Sequence, residues 1–224
     1  CIDLCQQMGL HRCVIAFADY PVSDGMSDAA NYSAMDRMRD GRALEIRALK
    51  PSDEADMLAA VDRIGTQSLY RRFMGAKRGF SDKERAFFLN IDFVNHVALV
   101  AEVTEGDRTS IVAGGRYVVE RPGTAEIAFA VVDDYQGQGI GAVLLRHLAV
   151  LARQAGLKQF TAEVLPDNTP MLKVFERSGL KFSSKRSADG VHAVLQLYER
   201  DYSAAPSARS PRHGPDAPPG ALTL

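Results

Sequence analysis

The order of apolar runs along the chain predicts an α/β (α+β) domain: a mixed, mostly antiparallel sheet of six to seven strands flanked by helices. Three observations predict it. Short runs alternating with period two are separated by segments whose apolar residues recur at helical spacing. In the middle of the chain, strand-like runs follow one another across short polar turns, as hairpins do. After them the pattern alternates strand, helix, strand, helix, strand, which brings helices onto a sheet. The length of 224 residues, with 46% apolar and 25% charged residues, is enough to bury one core.

The elements follow in order. Residues 44–49 alternate as a first strand, and Pro51-Ser52-Asp53 starts a helix running to about Ile64. Residues 68–74 form a short helix. Ser81 and Glu84 make the capping pattern of another, ending near Asn90. Residues 96–103 and 110–120 pair as a hairpin. Arg121-Pro122-Gly123 turns the chain into a fourth strand over 125–132. Residues 140–155 are amphipathic, with Leu144, Leu148 and Leu151 on one face and Gly156 as the stop. A fifth strand over 160–165, a helix over 169–178 with Pro170 in its first turn, and a last strand over 191–198 complete the domain.

Composition divides the chain into three zones. Residues 1–42 lack a sustained period and read as a mostly irregular N-terminal extension; 43–202 form the domain. Residues 203–224 hold five of the ten prolines among Ser, Ala and Gly, and are expected to be disordered. The opening Cys1 without a signal segment favours a fragment, a trimmed product or a misplaced start over a lipidated terminus. All three cysteines (Cys1, Cys5, Cys13) lie in the first 13 residues. That odd count argues against a disulfide framework and fits a cytoplasmic protein. With His11 they match no zinc spacing, so no metal is expected. A formal net charge of -1 gives no basic field to recruit nucleic acid or an anionic membrane, and no apolar run is long enough to span a bilayer. Nothing indicates the oligomeric state.

Most chemistry lies where the fourth strand runs into Gln136-Gly137-Gln138-Gly139-Ile140-Gly141-Ala142. Glycines let a ligand approach the backbone closely, and the free N–H groups of a first helical turn, with the helix dipole, suit a pyrophosphate. Gly137, Gly139 and Ala142 formally satisfy a dinucleotide fingerprint, with Glu163 at about the ribose-binding distance. In that motif, however, the first Gly follows its strand directly and the strands belong to a βαβ series. Here Asp133 to Gln136 intervene after hairpins. A P-loop is excluded because no Gly-Lys-Ser/Thr follows.

Gln136-x-x-Gly139-x-Gly141 matches the Q/R-x-x-G-x-G/A phosphate loop of the GNAT superfamily. Downstream, Asn168, Met171, Phe175, Gly179 and Leu180 keep the spacing of its N-x-x-A-x-x-x-Y-x-x-x-G-F pattern. The chain therefore resembles GNAT acyltransferases over roughly residues 43–202. Residues 68–73, 95–101 and 125–129 further resemble bacterial protein-lysine acetyltransferases of the Pat type. The resemblance implies a GNAT fold splayed between the fourth and fifth strands, with acetyl-CoA as cosubstrate. It implies that pantetheine pairs with the backbone of Phe129, Ala130 and Val131. Gly137, Gln138, Gly139, Ile140, Gly141 and Ala142, with Gln136, would hold the pyrophosphate, and Asn168 would touch the pantetheine arm. A bulge near Val131 would free an N–H for the developing oxyanion.

Acyl transfer to an amine needs a base, because a free lysine ammonium has a pKa of about 10.4. Glu126 is the first candidate: alternation puts it on one strand face with the small Ala128 and Ala130, opposite Ala125, Ile127, Phe129 and Val131. The resemblance agrees, because lysine acetyltransferases place a base Glu in this A-E-I-x-F context. The competing reading is a solvated strand carboxylate or a salt-bridge partner. Glu163, five residues before Asn168, is the rival catalytic Glu by the same resemblance. Phe175 stands where many relatives carry a Tyr that protonates the leaving thiolate. Tyr117, Tyr135 and Tyr198 are the other hydroxyls considered for that step. Arg146, Arg153 and Lys173 are candidates for the CoA 3′-phosphate, and equally plain helix charges. His96 reads as a strand-start residue.

Three functions remain open at this point. The first is an N-acetyltransferase acting on a protein lysine by direct transfer, since no Cys lies in the domain to carry an acyl group. The second is an acetyltransferase of small amines or amino acids. The third is a non-catalytic acyl-CoA sensor, which the missing Tyr allows.

Overall fold

A computed structural model describes residues 27–76, 79–188 and 190–197. Within them one eight-stranded sheet runs in the order β1-β2-β3-β4-β5-β6-β8-β7. The strands are β1 (Ser33–Arg37), β2 (Ala43–Ala48), β3 (His96–Glu105), β4 (Arg108–Arg121), β5 (Thr124–Val131), β6 (Gln159–Val164), β7 (Lys181–Arg186) and β8 (Val191–Gln196). All neighbours are antiparallel except β5 and β6, which run parallel. The helices are α1 (Ser27–Ala30), α2 (Glu54–Asp62), α3 (Thr66–Phe73), α4 (Asp82–Leu89), α5 (Ile140–Gln154) and α6 (Thr169–Glu176).

The hairpin over β3 and β4 forms the centre because both strands are rich in Val, Ile and Ala and present buried residues to both faces. Helix α5 packs on one face against β3, β4 and β5, with Leu144 and Leu148 fully buried. Helices α2 and α3 pack against β4 and β5 respectively. Phe129 lies against Gly115, where a Cβ would sit 2.8 Å from its ring, and near Leu148 on α5. The next residues along β5, Ala128 and Ala130, face the side of α2 and α3. A capping box holds α4, the Ser81 hydroxyl accepting from Glu84 N at 3.3 Å while Ser81 N donates to the Glu84 carboxylate at 2.8 Å.

Two strands go beyond the apolar runs: β1 and β7, the edges of the sheet. Their residues are largely exposed, so neither carries the hydrophobic alternation that marks an inner strand. The segment expected to be an irregular extension thus contains β1, which pairs with β2 from Ser33 opposite Arg47 to Arg37 opposite Ala43. The folded unit therefore begins before residue 43. Asp36 on β1 binds Arg146, and lies 3.2 Å from His147 Nε2, fastening the edge strand to α5. The proposed disordered tail and the cysteine-bearing N-terminus lie outside the described residues.

Candidate functional site

The site begins where β5 and β6 part. Their parallel pairing lasts only from Thr124 opposite Gln159 to Glu126 opposite Thr161. Beyond that rung the strands diverge, and a cleft of about 460 Å³ opens between them. This is the splay expected between the fourth and fifth strands of the sequence reading, here β5 and β6.

The free edge of β5 lines that cleft. Val132 donates its N–H to Val112 O on the β4 side at 2.9 Å. Alternation therefore turns the peptide groups of Val131 and Phe129 toward the cleft and those of Ala130 toward β4. Ala130 still lines the cleft, but by its side of the strand rather than by its own peptide polar groups. No bulge is needed to expose an N–H near Val131. The β4–β5 register runs unbroken from Tyr117 opposite Ile127 to Ala113 opposite Val131, and the divergence of β6 does the exposing instead.

At the wide end, a single turn over Asp133–Tyr135 leads into the glycines. Gly137 and Gly139 have φ of 76° and 86°, the left-handed region that a Cβ penalises. Gly139 is the N-cap of α5, so the amides of Ile140 and Gly141 have no carbonyl one turn upstream, whereas Ala142 N–H donates to Gly139 O at 3.0 Å. Gln136 borders the cleft, with its side-chain amide held by neighbouring protein groups. Its amide donates to Val131 O at 3.2 Å, Asp133 Oδ1 at 2.8 Å and Ser68 Oγ at 3.0 Å, bracing the loop against β5 and α3. Ile140, Gly141, Ala142, Asn168 and Phe175 also border the cleft. Gln138 contributes its carbonyl to Arg39 N at 3.0 Å. The Asn168 side chain accepts from Met171 N at 3.3 Å and caps α6, leaving its NH₂ as the available group.

Arg39 is the residue the sequence reading missed. It lies in the β1–β2 turn, within the segment read as an irregular extension, where no local pattern signals a role. Besides the contact from its own N–H to Gln138, its guanidinium donates to Gly137 O at 3.0 Å. Of the cations proposed for the 3′-phosphate, Arg146 pairs with Asp36 and Arg153 donates to Leu197 O, whereas Lys173 lines the cleft.

At the narrow end stand the two candidate carboxylates. Glu126 is 6% exposed, and burial pushes its carboxyl up to about 8. The negative charges of Glu120 and Glu163 push the same way, against the pull of Arg72. Glu163 is less buried and holds the ring of His192, Nδ1 to Oε1 at 2.5 Å. Both carboxylates border the main cleft and also a second, adjoining pocket of about 370 Å³. Glu120, Thr161, Ala162 and His192 complete its wall, with one cation, Arg121, beside the three carboxyl groups.

Of the tyrosines considered for the thiolate, Tyr135 borders the cleft. Tyr117 is buried in the core against Phe160 and its hydroxyl is pushed upward by burial, while Tyr135 donates to Glu105 Oε1 at 3.1 Å. Tyr198 lies outside the described residues. Phe175 is buried and packs beside Phe182. His96 is buried, stacks on Phe87 and is pushed down to about 3, by burial first and the Arg116 charge second. Among the described residues no cluster of three or more His, Cys, Asp or Glu is placed to hold a metal, and no helix is long and apolar enough to cross a membrane.

An edge of free peptide groups suits an arm that carries amides, and amides with no upstream carbonyl at a glycine-opened helix suit a diphosphate. A buried carboxylate at the far end suits proton removal. Acyl-CoA has that sequence of parts, and the residues present fit it, whereas a largely antiparallel sheet excludes the doubly wound dinucleotide fold. Such a fold and site define the class of acyl-CoA-dependent N-acyltransferases. Residues 63–180 match the Acetyltransferase (GNAT) family, and the chain belongs to it. GNAT acetyltransferases use acetyl-CoA as cosubstrate.

The chain is 34% identical over 148 residues to Acetyltransferase Pat of Mycolicibacterium smegmatis, across 64% of this chain and 43% of that protein. It thus spans less than half the length of that relative. To an acetyltransferase of Pseudomonas aeruginosa it is 32% identical over 126 residues, covering 56% of this chain and 68% of that one. The crystal structure of the GNAT domain of S. lividans PAT superposes with a TM-score of 0.67 at 32% identity, covering 73% of this chain and 96% of the other.

Proposed function

We propose that this domain transfers an acetyl group from acetyl-CoA directly to the side-chain amine of a protein lysine, with Glu126 as the general base. The observation that carries the reading is the place of Glu126: buried at the fork, between the thioester cleft and an acidic pocket. The carboxylates of Glu120 and Glu163 attract a cationic amine, which gives one proton to solvent and attacks as the neutral amine. The amine nitrogen bonds to the thioester carbonyl carbon, the C–S bond breaks, and the amine proton passes to Glu126. Coenzyme A leaves as the thiolate and takes a proton from water, since Phe175 has none to give.

Peptide groups of Phe129 and Val131 carry the pantetheine arm in this reading. The N–H of Val131 is aimed at the carbonyl oxygen as it gains charge. Gly137 to Ala142 carry the diphosphate, and Arg39 fixes the shape of that loop. Glu163 supports the charge of the pocket through His192 rather than acting as base. The resemblance of residues 68–73, 95–101 and 125–129 to Pat-type protein-lysine acetyltransferases favours a macromolecular acceptor, while the pocket itself also admits a small amine.

Incubation with acetyl-CoA and a panel of folded proteins beside a panel of small amines, read by mass spectrometry, tests the acceptor class. Lysine-acetylated protein with unmodified small amines is the expected result; the reverse outcome assigns the small-amine reading.

A further inference from the structure

The face of the sheet that carries Glu126 also carries two arginines that none of this chemistry uses. Arg116 stands opposite Ala128 in the β4–β5 register, and Val118, two residues along, stands opposite Glu126. Arg116 and Glu126 are thus diagonal neighbours on one face. Arg72, in the last turn of α3, borders both the main cleft and a smaller pocket of about 90 Å³ that Arg116 also lines. Its other walls are apolar, among them Ile64, Leu69, Phe73, Ala128 and Ala130.

Neither guanidinium bonds a carboxylate among the described residues. Arg116 meets His96 Nε2 at 3.1 Å and lies over the Phe88 ring at 4.3 Å. Arg72 lies over the Phe73 ring at 4.9 Å and feels the charge of Glu126 without a hydrogen bond to it. His96, held neutral, brings Arg116 no counter-charge. The contrast with Arg47 is direct, for that arginine binds both Asp53 and Glu102. Two neighbouring cations against apolar walls repel one another and lose hydration, a cost an anion between them relieves.

That anion can arrive on the acceptor or on the acyl group. The acceptor is an amine that enters as a cation, and its place is the acidic pocket, away from Arg72 and Arg116. The smaller pocket instead opens beside Ala128 and Ala130, next to the strand edge read here as the seat of the thioester. We propose that Arg72 and Arg116 recognise the terminal carboxylate of a short dicarboxylic acyl group, so that the site accepts malonyl- or succinyl-sized thioesters. The inference rests on the reading above of where the thioester lies. The reaction is unchanged: a C–N bond forms, C–S breaks, the amine proton goes to the base and coenzyme A departs.

Calorimetry with acetyl-, butyryl- and succinyl-CoA tests recognition without needing the acceptor. Succinyl-CoA is expected to bind at least about tenfold more tightly than butyryl-CoA, as a charge-assisted bidentate contact would give. In Arg116→Gln and Arg72→Gln that ratio falls toward one, with folding checked by thermal melting and Arg116→Lys restoring part of it. Equal binding of the two thioesters, or a ratio that survives both substitutions, overturns the proposal. So does an effect that follows a carboxylate on the acceptor and is equal for every thioester. Acetyl transfer to lysine alongside equal binding leaves the proposed function standing and removes only this inference. Tight succinyl-CoA binding with no transfer to any amine does the reverse.

Discussion

Glu126 and Thr161 face each other across the last rung of the parallel pairing between β5 and β6, and the sheet forks immediately beyond them. The fork places a carboxylate inside the sheet yet next to an opening. Away from the fork, a carboxylate at that depth would be sealed in the core; on an outer edge it would be hydrated and ordinary.

Glu126→Gln keeps the shape of the side chain and removes the base. It is expected to lower kcat/KM by roughly 10² to 10⁴, while coenzyme A still binds when measured by calorimetry. Glu163→Gln is expected to cost far less. Full activity in Glu126→Gln would transfer the base assignment to Glu163.

Stability should move in the opposite sense to activity. The Glu126 carboxyl titrates near 8 in the folded chain against 4.5 for the free group. Between those values the native state holds a proton that the unfolded state has lost, so stability falls as pH rises through that window. The penalty is at most a few kcal/mol, since each tenfold difference in proton affinity is worth about 1.4 kcal/mol. Thermal melting should therefore show Glu126→Gln more stable than the parent above pH 8, with the difference closing toward pH 4.5. The same ionisation predicts a parent kcat/KM that climbs to a plateau above pH 8.

Gly139→Ala forces a Cβ into a residue at φ 86° and sets it 3.4 Å from Arg39 Cγ. Left-handed strain of about 1–2 kcal/mol is expected, together with weaker coenzyme A binding as the loop and Arg39 separate. Melting and calorimetry on one sample read both effects. Arg39→Ala leaves the backbone contact to Gln138 in place, so its loss should appear mainly in coenzyme A affinity.

Arg47 joins β2 to the start of α2 by binding Asp53 at 2.6 Å and Glu102 at 2.5 Å, all three side chains being largely buried. Arg47→Ala strands two carboxylates and is expected to cost about 3–5 kcal/mol in urea unfolding. Asp53, held below the usual carboxylate range by Arg47 and by the Lys50 N–H despite its burial, adds a pH signature. Its contribution is present above about 4 and is lost as pH falls through the depressed value.

Inner strands and long helices were legible because burial imposes a period: α5 had to repeat its leucines every three or four residues, and β3 to β5 had to be apolar. The two edge strands were not, because Ser33–Arg37 and Lys181–Arg186 face mostly water and are held by main-chain bonds that any residue can make. The glycine loop was legible because only glycine tolerates its backbone. Arg39 was not, since a residue 98 positions from its partner leaves no local trace.

By itself the sequence determined the fold class, the glycine-opened helix start and the strand face of Glu126, since each follows from a local period or a local backbone demand, while Glu163 entered through the family resemblance. Only the tertiary structure decided which carboxylate is buried, where the sheet forks, and that two arginines without carboxylate partners among the described residues adjoin the fork. Burial and the field of neighbouring charges are sums over residues distant in the chain, and no short stretch of sequence contains them.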